Sequence, residues 1–241
     1  MEGSYPGVET LEALEAEVQN YQRFLTRLIA ELGRSSRQTG TTRVLDFGAG
    51  TGTYARHARA LGYAVVCVEL DDHLRDRLTE DCFVVSSGLD AVPEMSQQAV
   101  YSFNVLEHIE DDQGSLRELF RVMAPGGRLL LYVPAFPVLF SAFDHRVGHV
   151  RRYRRAELLA RVQTAGFEVD RCVYADSLGF AASLAYRIFS RGTSGALRPG
   201  AVRAYDRFLF PLSRRLDGLL QHRFGKNLVL TAHRPLPAST G

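Results

Sequence analysis

A chain of 241 residues with 46% hydrophobic content can bury one substantial core and is somewhat long for a minimal nucleotide-binding domain. No apolar run is long enough to cross a bilayer and no charged-then-apolar leader opens the sequence, so a soluble, cytoplasmic protein is expected. The net charge of +2 hides an asymmetry: residues 1–145 carry 12 Lys+Arg and 21 Asp+Glu, whereas residues 146–241 carry 17 and 6, a basic half suited to an anionic substrate, a membrane surface or nucleic acid.

Taken in order, residues 1–8 read as irregular. An acidic amphipathic helix follows, Leu11 to Leu32 within a segment 9–33, with Leu11, Leu14, Val18, Tyr21, Leu25, Leu28 and Leu32 on one stripe and Gly33 as its stop. A polar linker leads to the first strand, Arg43–Phe47, and a helix from Thr53 to Leu61. The second strand is Tyr63–Leu70, and Asp71 is placed to cap the helix after it. Asp81–Ser86 and Ala99–Phe103 are the third and fourth strands. A helix capped by Asp112 or Ser115 runs to Met123, the Pro125-Gly126-Gly127 turn follows, and Arg128–Val133 is the fifth strand. Residues 134–153 read as a loop rich in aromatic and charged residues. A helix from Arg154 to Ala165, a sixth strand Phe167–Tyr174 and a seventh, Asn227–Ala232, complete a doubly wound, seven-stranded, mostly parallel sheet in a single α/β domain. Residues 177–225 form a helical insertion between strands six and seven. Cys67, Cys82 and Cys172 lack disulfide or metal-ligand spacing and are expected as buried thiols. No His/Cys/carboxylate set has ligand spacing, so no metal is expected.

Asp46-x-Gly48-x-Gly50-x-Gly52 joins the first strand to its helix. Glycines there let a ligand meet the backbone closely, and the helix start leaves amide N–H groups to receive it. Alone, such a turn also suits a dinucleotide. With Glu69 closing the second strand, Asn104-Val105-Leu106-Glu107-His108-Ile109 after the fourth, and Leu119 to Gly127 before the fifth, the sequence resembles the class I S-adenosylmethionine-dependent methyltransferases over roughly residues 40–175. The resemblance implies a Rossmann-like fold with S-adenosylmethionine held over residues 43–133. It implies contacts from Asp46, Gly48, Ala49, Gly50 and Gly52, with Glu69 and Leu70 at the ribose and Ser87, Gly88 and Leu89 at the adenine. Asn104 would lie where the chain passes the sulfonium, and Val105, Leu106 and His108 are further expected cofactor contacts. Tyr21, on a helix that closes over the cofactor in related folds, is a further contact or a packing residue.

The acceptor is expected where the chain departs from a minimal fold. Residues 134–153 contain Asp144-x-x-x-Gly148-His149-x-Arg151-Arg152-Tyr153, which resembles a segment of a bacterial subgroup associated with glycoconjugate or secondary metabolism. Phe140, Phe143, His149, Arg151, Arg152 and Tyr153 are the expected acceptor-binding residues. His149, His108 and His145 are the expected bases, against the alternative that positioning alone suffices. The cluster Arg151, Arg152, Arg154 and Arg155 reads as an anion clamp or as a solvated helix start. The apolar insertion reads as a packed lid or as a greasy acceptor pocket with membrane-surface contact. The expected activity is methyl transfer to a small molecule with an apolar body and an anionic head, lipid- or isoprenoid-like. The rivals are a non-catalytic cofactor-binding subunit, a nucleic acid methyltransferase, for which no flipped-base motif is present, and a nicotinamide oxidoreductase. No nucleic acid partner is expected, peripheral membrane contact remains open, and nothing in the sequence sets the oligomeric state.

Overall fold

The computed structural model describes residues 15–34, 41–189 and 198–237. Seven strands form one sheet: β1 (Arg43–Phe47), β2 (Ala64–Val68), β3 (Val84–Ser86), β4 (Gln97–Phe103), β5 (Met123–Pro134), β6 (Glu168–Ala175) and β7 (Asn227–His233). Their spatial order is β3-β2-β1-β4-β5-β7-β6. β1 to β5 pair in parallel, while β7 runs antiparallel between β5 and β6. Among the described residues the α-helices are α1 (Gln19–Arg34), α2 (Thr53–Ala60), α3 (Asp72–Glu80), α4 (Asp112–Val122), α5 (Ala142–Arg146), α6 (Arg155–Thr164), α7 (Ser177–Phe189), α8 (Pro199–Ala204) and α9 (Phe210–Leu220).

Helices cover both faces of the sheet, which is why its central strands read as unbroken apolar runs rather than alternating ones. In β5, Leu129, Leu131 and Val133 enter a core shared with α4 (Leu116, Leu119, Val122) and α6 (Leu158, Val162). Leu130 and Tyr132 enter the opposite core with Leu25, Ile29 and Leu32 of α1. The α1 stripe predicted from the sequence is therefore a core stripe. Its predicted start lies outside the described residues, and the helix begins at Gln19, so Asn20 and Tyr21 occupy its first turn instead of its middle.

Several boundaries differ for local reasons. Pro125-Gly126-Gly127 lies within a long β5 and does not separate a helix from a strand: pairing starts at Met123 opposite Gln97, shifts register, and resumes at Arg128 opposite Ala99, with Gly126 at φ 75° absorbing the irregularity. The cap of α4 is Asp111, whose Oδ1 accepts from Gly114 N, and not Asp112 or Ser115. The predicted loop 134–153 holds a 3-10 turn, Pro137–Leu139, and the short α5. Cys67 and Cys172 are buried as expected, but Cys82 is exposed in the turn before β3.

Candidate functional site

The carboxyl ends of β1, β4 and β5, the ends of β2, β3 and β6, and the start of β7 border one cavity of about 1320 Å³. It lies over the point where the strand order reverses between β1 and β4, the usual ligand position in doubly wound sheets. Sites for one drug-sized ligand hold roughly 300–1,000 Å³, so this one has room for a cofactor and an acceptor together.

The cofactor half is built from the glycine turn. Gly48, Gly50 and Gly52 all have positive φ. A Cβ on Gly48 would lie 2.3 Å from Val105 Cγ2, so the turn can pass the β4 end only as glycine. Gly48 and Ala49 donate their N–H groups to Val68 O. Glu69 ties the turn to the end of β2: its Oε2 accepts from Gly50 N at 2.8 Å, and its Oε1 accepts from Leu70 N at 2.8 Å and Asp71 N at 3.1 Å. Of the residues expected at the cofactor, Gly48, Ala49, Gly50, Glu69, Leu70, Gly88, Leu89, Asn104, Val105, His108 and Tyr21 line the cavity. Asn104 has a positive φ of 54° and donates from Nδ2 to the Tyr21 hydroxyl at 2.9 Å, which seats α1 over the β4 end.

Four predicted cofactor contacts do not line it. Gly52 caps α2 beneath the turn, where a Cβ would meet Leu78. Leu106 is 1% exposed and packs in the core. Ser87 is exposed, outside the cavity wall. Asp46 is buried under the turn and accepts from the Tyr101 hydroxyl at 2.8 Å. Burial pushes its carboxyl up to about 7, opposed by the Tyr101 bond and reinforced by the nearby Glu69 charge.

On the acceptor side, Asp144 explains the Asp-x-x-x-Gly-His-x-Arg-Arg-Tyr pattern. Fully buried, it accepts from Ser141 N, Ser141 Oγ, His149 Nδ1 at 2.7 Å, and both Nε and Nη2 of Arg152. Burial alone would raise this carboxyl; the bonds from His149 and Arg152 outweigh it and hold it at about 2. One carboxylate thus closes the turn of α5 and orients two predicted site residues. Phe143, His149 and Arg152 line the cavity.

The remaining acceptor expectations are corrected. Phe140 lies outside the wall, packed edge-on against His145, which is exposed and also away from the cavity. Tyr153 is buried, donating to Leu106 O at 3.1 Å and Asp112 Oδ2 at 2.7 Å. Arg151 pairs with Asp112 at 2.7 Å. The four arginines do not converge on one site: Arg152 is bound to Asp144, Arg151 to Asp112, and Arg154 and Arg155 both line a separate small pocket with Phe136 and Tyr174.

Four further residues come from outside the expected set or change their role in it. Glu107 is completely buried beside His149, its Oε1 3.7 Å from His149 Nε2, and burial pushes its carboxyl up to about 8. Burial also lowers His108 to about 4, so it is neutral at physiological pH. Lys226, the only lysine of the chain, lines the cavity just before β7. It forms no ion pair among the described residues, and burial lowers its pKa against the pull of Asp176. Its uniqueness was visible in the sequence; its position was not, because it needs the antiparallel strand to return beside β5. Asp206, in the π-helical turn Tyr205–Leu209, accepts from Asn20 N at 2.8 Å and Tyr21 N at 2.9 Å, joining the insertion to the first turn of α1.

Among the described residues no helix is long and apolar enough to cross a membrane. The sequence profile of the methyltransferase-domain family matches residues 17–171. The chain is 32% identical over 101 residues to malonyl-acyl-carrier-protein O-methyltransferase of Erwinia pyrifoliae, covering 39% of this chain and 38% of that protein. It is 28% identical over 116 residues to demethylmenaquinone methyltransferase of Tropheryma whipplei, covering 45% and 48%. The matches thus span less than half of the length of these relatives. An S-adenosylmethionine-dependent methyltransferase from Mesorhizobium loti superposes with a TM-score of 0.57 at 17% identity, over 85% of this chain and 96% of that one, which is a likeness of fold. The chain belongs to the methyltransferase-domain family, and its strand order is that of the class I S-adenosylmethionine-dependent methyltransferases.

Proposed function

We infer that the protein transfers a methyl group from S-adenosylmethionine to a small acceptor with an apolar body and an anionic head. The supporting observation is that one cavity runs along the carboxyl edge from Glu69 and Leu89 to Asp176 and Lys226. Its first half suits the cofactor: a glycine turn whose backbone admits close approach, and a carboxylate beside it to accept ribose hydroxyls. S-adenosylmethionine supplies a methyl carbon already activated by its sulfonium. The chain's own task is to hold an acceptor atom in line with that carbon and to keep water out.

The second half supports the acceptor class. Phe143, Val147, Ala182, Val202 and Phe210 give it apolar walls, while Lys226 supplies a cation that no carboxylate of the described chain neutralises by direct pairing. A half-buried ammonium in an apolar cavity is stabilised by an anion. The two relatives are named for a malonyl group on an acyl-carrier protein, whose free end is a carboxylate, and for demethylmenaquinone.

The test is calorimetric titration with S-adenosylmethionine, then turnover on long-chain carboxylates and prenylated phenols with labelled cofactor. Wild type should bind the cofactor and methylate members of one set. Lys226→Ala should raise KM for anionic acceptors about tenfold or more, with cofactor affinity unchanged. Absence of cofactor binding would sink the reading, and an unchanged KM would remove the anionic head from it.

A further inference from the structure

Two separate segments bring Glu107, His108 and His149 together at the cavity wall. One ligand atom from each residue lies within 4.8 Å of the others. The imidazole rings stand 4.7 Å apart at 75°. Their orientation is set from behind. His149 Nδ1 is held by Asp144 Oδ1 at 2.7 Å, which leaves Nε2 directed at Glu107. His108 Nδ1 lies 3.1 Å from Gly148 O; a carbonyl only accepts, so Nδ1 carries the proton and Nε2 the lone pair. A carboxylate or carbonyl behind Nδ1 is the usual outer support of a metal-ligating histidine.

Glu107 supplies the second, independent sign. It is 0% exposed, and among the described residues no other residue donates a hydrogen bond to either of its carboxylate oxygens. A buried carboxyl left so poorly satisfied costs roughly 1–3 kcal/mol or more in lost solvation, and its persistence calls for something that satisfies it. A cation between Glu107 and the two imidazoles does so. Bonds of about 2.0–2.2 Å place neighbouring ligand atoms about 3–3.5 Å apart, so the rings need to close by roughly an ångström.

We propose that Glu107, His108 and His149 hold a divalent first-row transition cation through two imidazole nitrogens and one carboxylate oxygen. Asp144 and Gly148 are the outer partners, and the remaining coordination positions open to the cavity, where an oxygen of the acceptor binds. A nitrogen-rich set without sulfur favours zinc, manganese, iron, cobalt or nickel over magnesium or calcium. The acceptor clause rests on the methyl-transfer reading above; the cation site does not.

The full chain, stripped with chelator, is titrated with Co2+ followed by its visible absorption, and with Zn2+ by calorimetry. One equivalent is expected, with Co2+ bands of a mixed nitrogen and oxygen site. Glu107→Gln and His149→Gln should each weaken binding tenfold or more, and Asp144→Asn by about 10–100-fold through the support it gives His149. Circular dichroism and cofactor titration check the fold of each variant, and His108→Gln, at a less buried position than Glu107, serves if Glu107→Gln does not fold. No cobalt absorption, or affinity unchanged in every folded variant, overturns the site. Turnover that survives chelation, with cobalt binding intact, overturns the acceptor clause alone.

Discussion

A carboxyl held at about 7 in the folded protein, as burial holds Asp46, makes stability depend on pH. The direction follows from linkage. Asp46 takes up its proton more readily folded than unfolded, where a carboxyl titrates near 3.9, so its favourable contribution is complete below about pH 4 and fades as pH rises through about 7. Asp46→Asn keeps an acceptor for the Tyr101 hydroxyl and abolishes the titration. Denaturant unfolding of the cofactor-free protein should show wild type losing stability relative to Asp46→Asn between pH 4 and 8, by up to about 4 kcal/mol. Parallel curves would mean that Asp46 is ionised in the fold. Asp144 has the opposite character: with five donors it behaves as a fixed anion, and His149 and Arg152 take their positions from it.

At the scale of elements, Asp206 is the joint between α1 and the insertion. Its two oxygens take the N–H groups of Asn20 and Tyr21, which lie in the first helical turn and have no partner inside the helix. Asp206→Ala should cost about 1–2 kcal/mol in chemical denaturation and speed hydrogen exchange in residues 19–34. Exchange that does not change would show that α1 is held by its core stripe alone. This joint was invisible in the sequence, since its partners lie 185 and 186 residues apart. The glycine turn, Glu69 and the strand-four motif were legible because each is local: strand, turn and helix are contiguous, and the sheet places their ends together. The acceptor segment was half legible. Its pattern was seen, but burial decides which members face inward, and burial turned Tyr153 and Arg151 to structural partners while leaving His149 and Arg152 on the cavity. Glu107 lay inside a legible motif without a role of its own, because its meaning depends on a histidine 42 residues away in sequence.

Across the whole molecule, the insertion presents an apolar and basic outer face. Phe208, Leu212 and Leu219 are 66%, 46% and 82% exposed; exposed Arg215 lies between Leu212 and Leu219 at α9 helical spacing, and Arg223 is exposed in the turn after α9. Such a face suits an anionic lipid surface, from which an amphipathic acceptor could pass to the cavity beneath. The protein should co-sediment with vesicles containing anionic lipid more than with neutral ones, less so as salt rises, and the triple change of Phe208, Leu212 and Leu219 to Ser should abolish the effect. Absence of binding to either vesicle would confine the acceptor to aqueous solution.

Lys226 gives the molecule an uncommon chemical address. Every other basic side chain besides the histidines is arginine, so an amine-directed acylating reagent has a single side chain to find, and that side chain borders the cavity. Its lowered pKa leaves more of it as the reactive free amine than an ordinary surface lysine would offer. An anion seated against it would shield it. The mass of one peptide, read before and after labelling, therefore reports whether the acceptor half is filled, with no substitution in the chain and whatever the identity of the occupant.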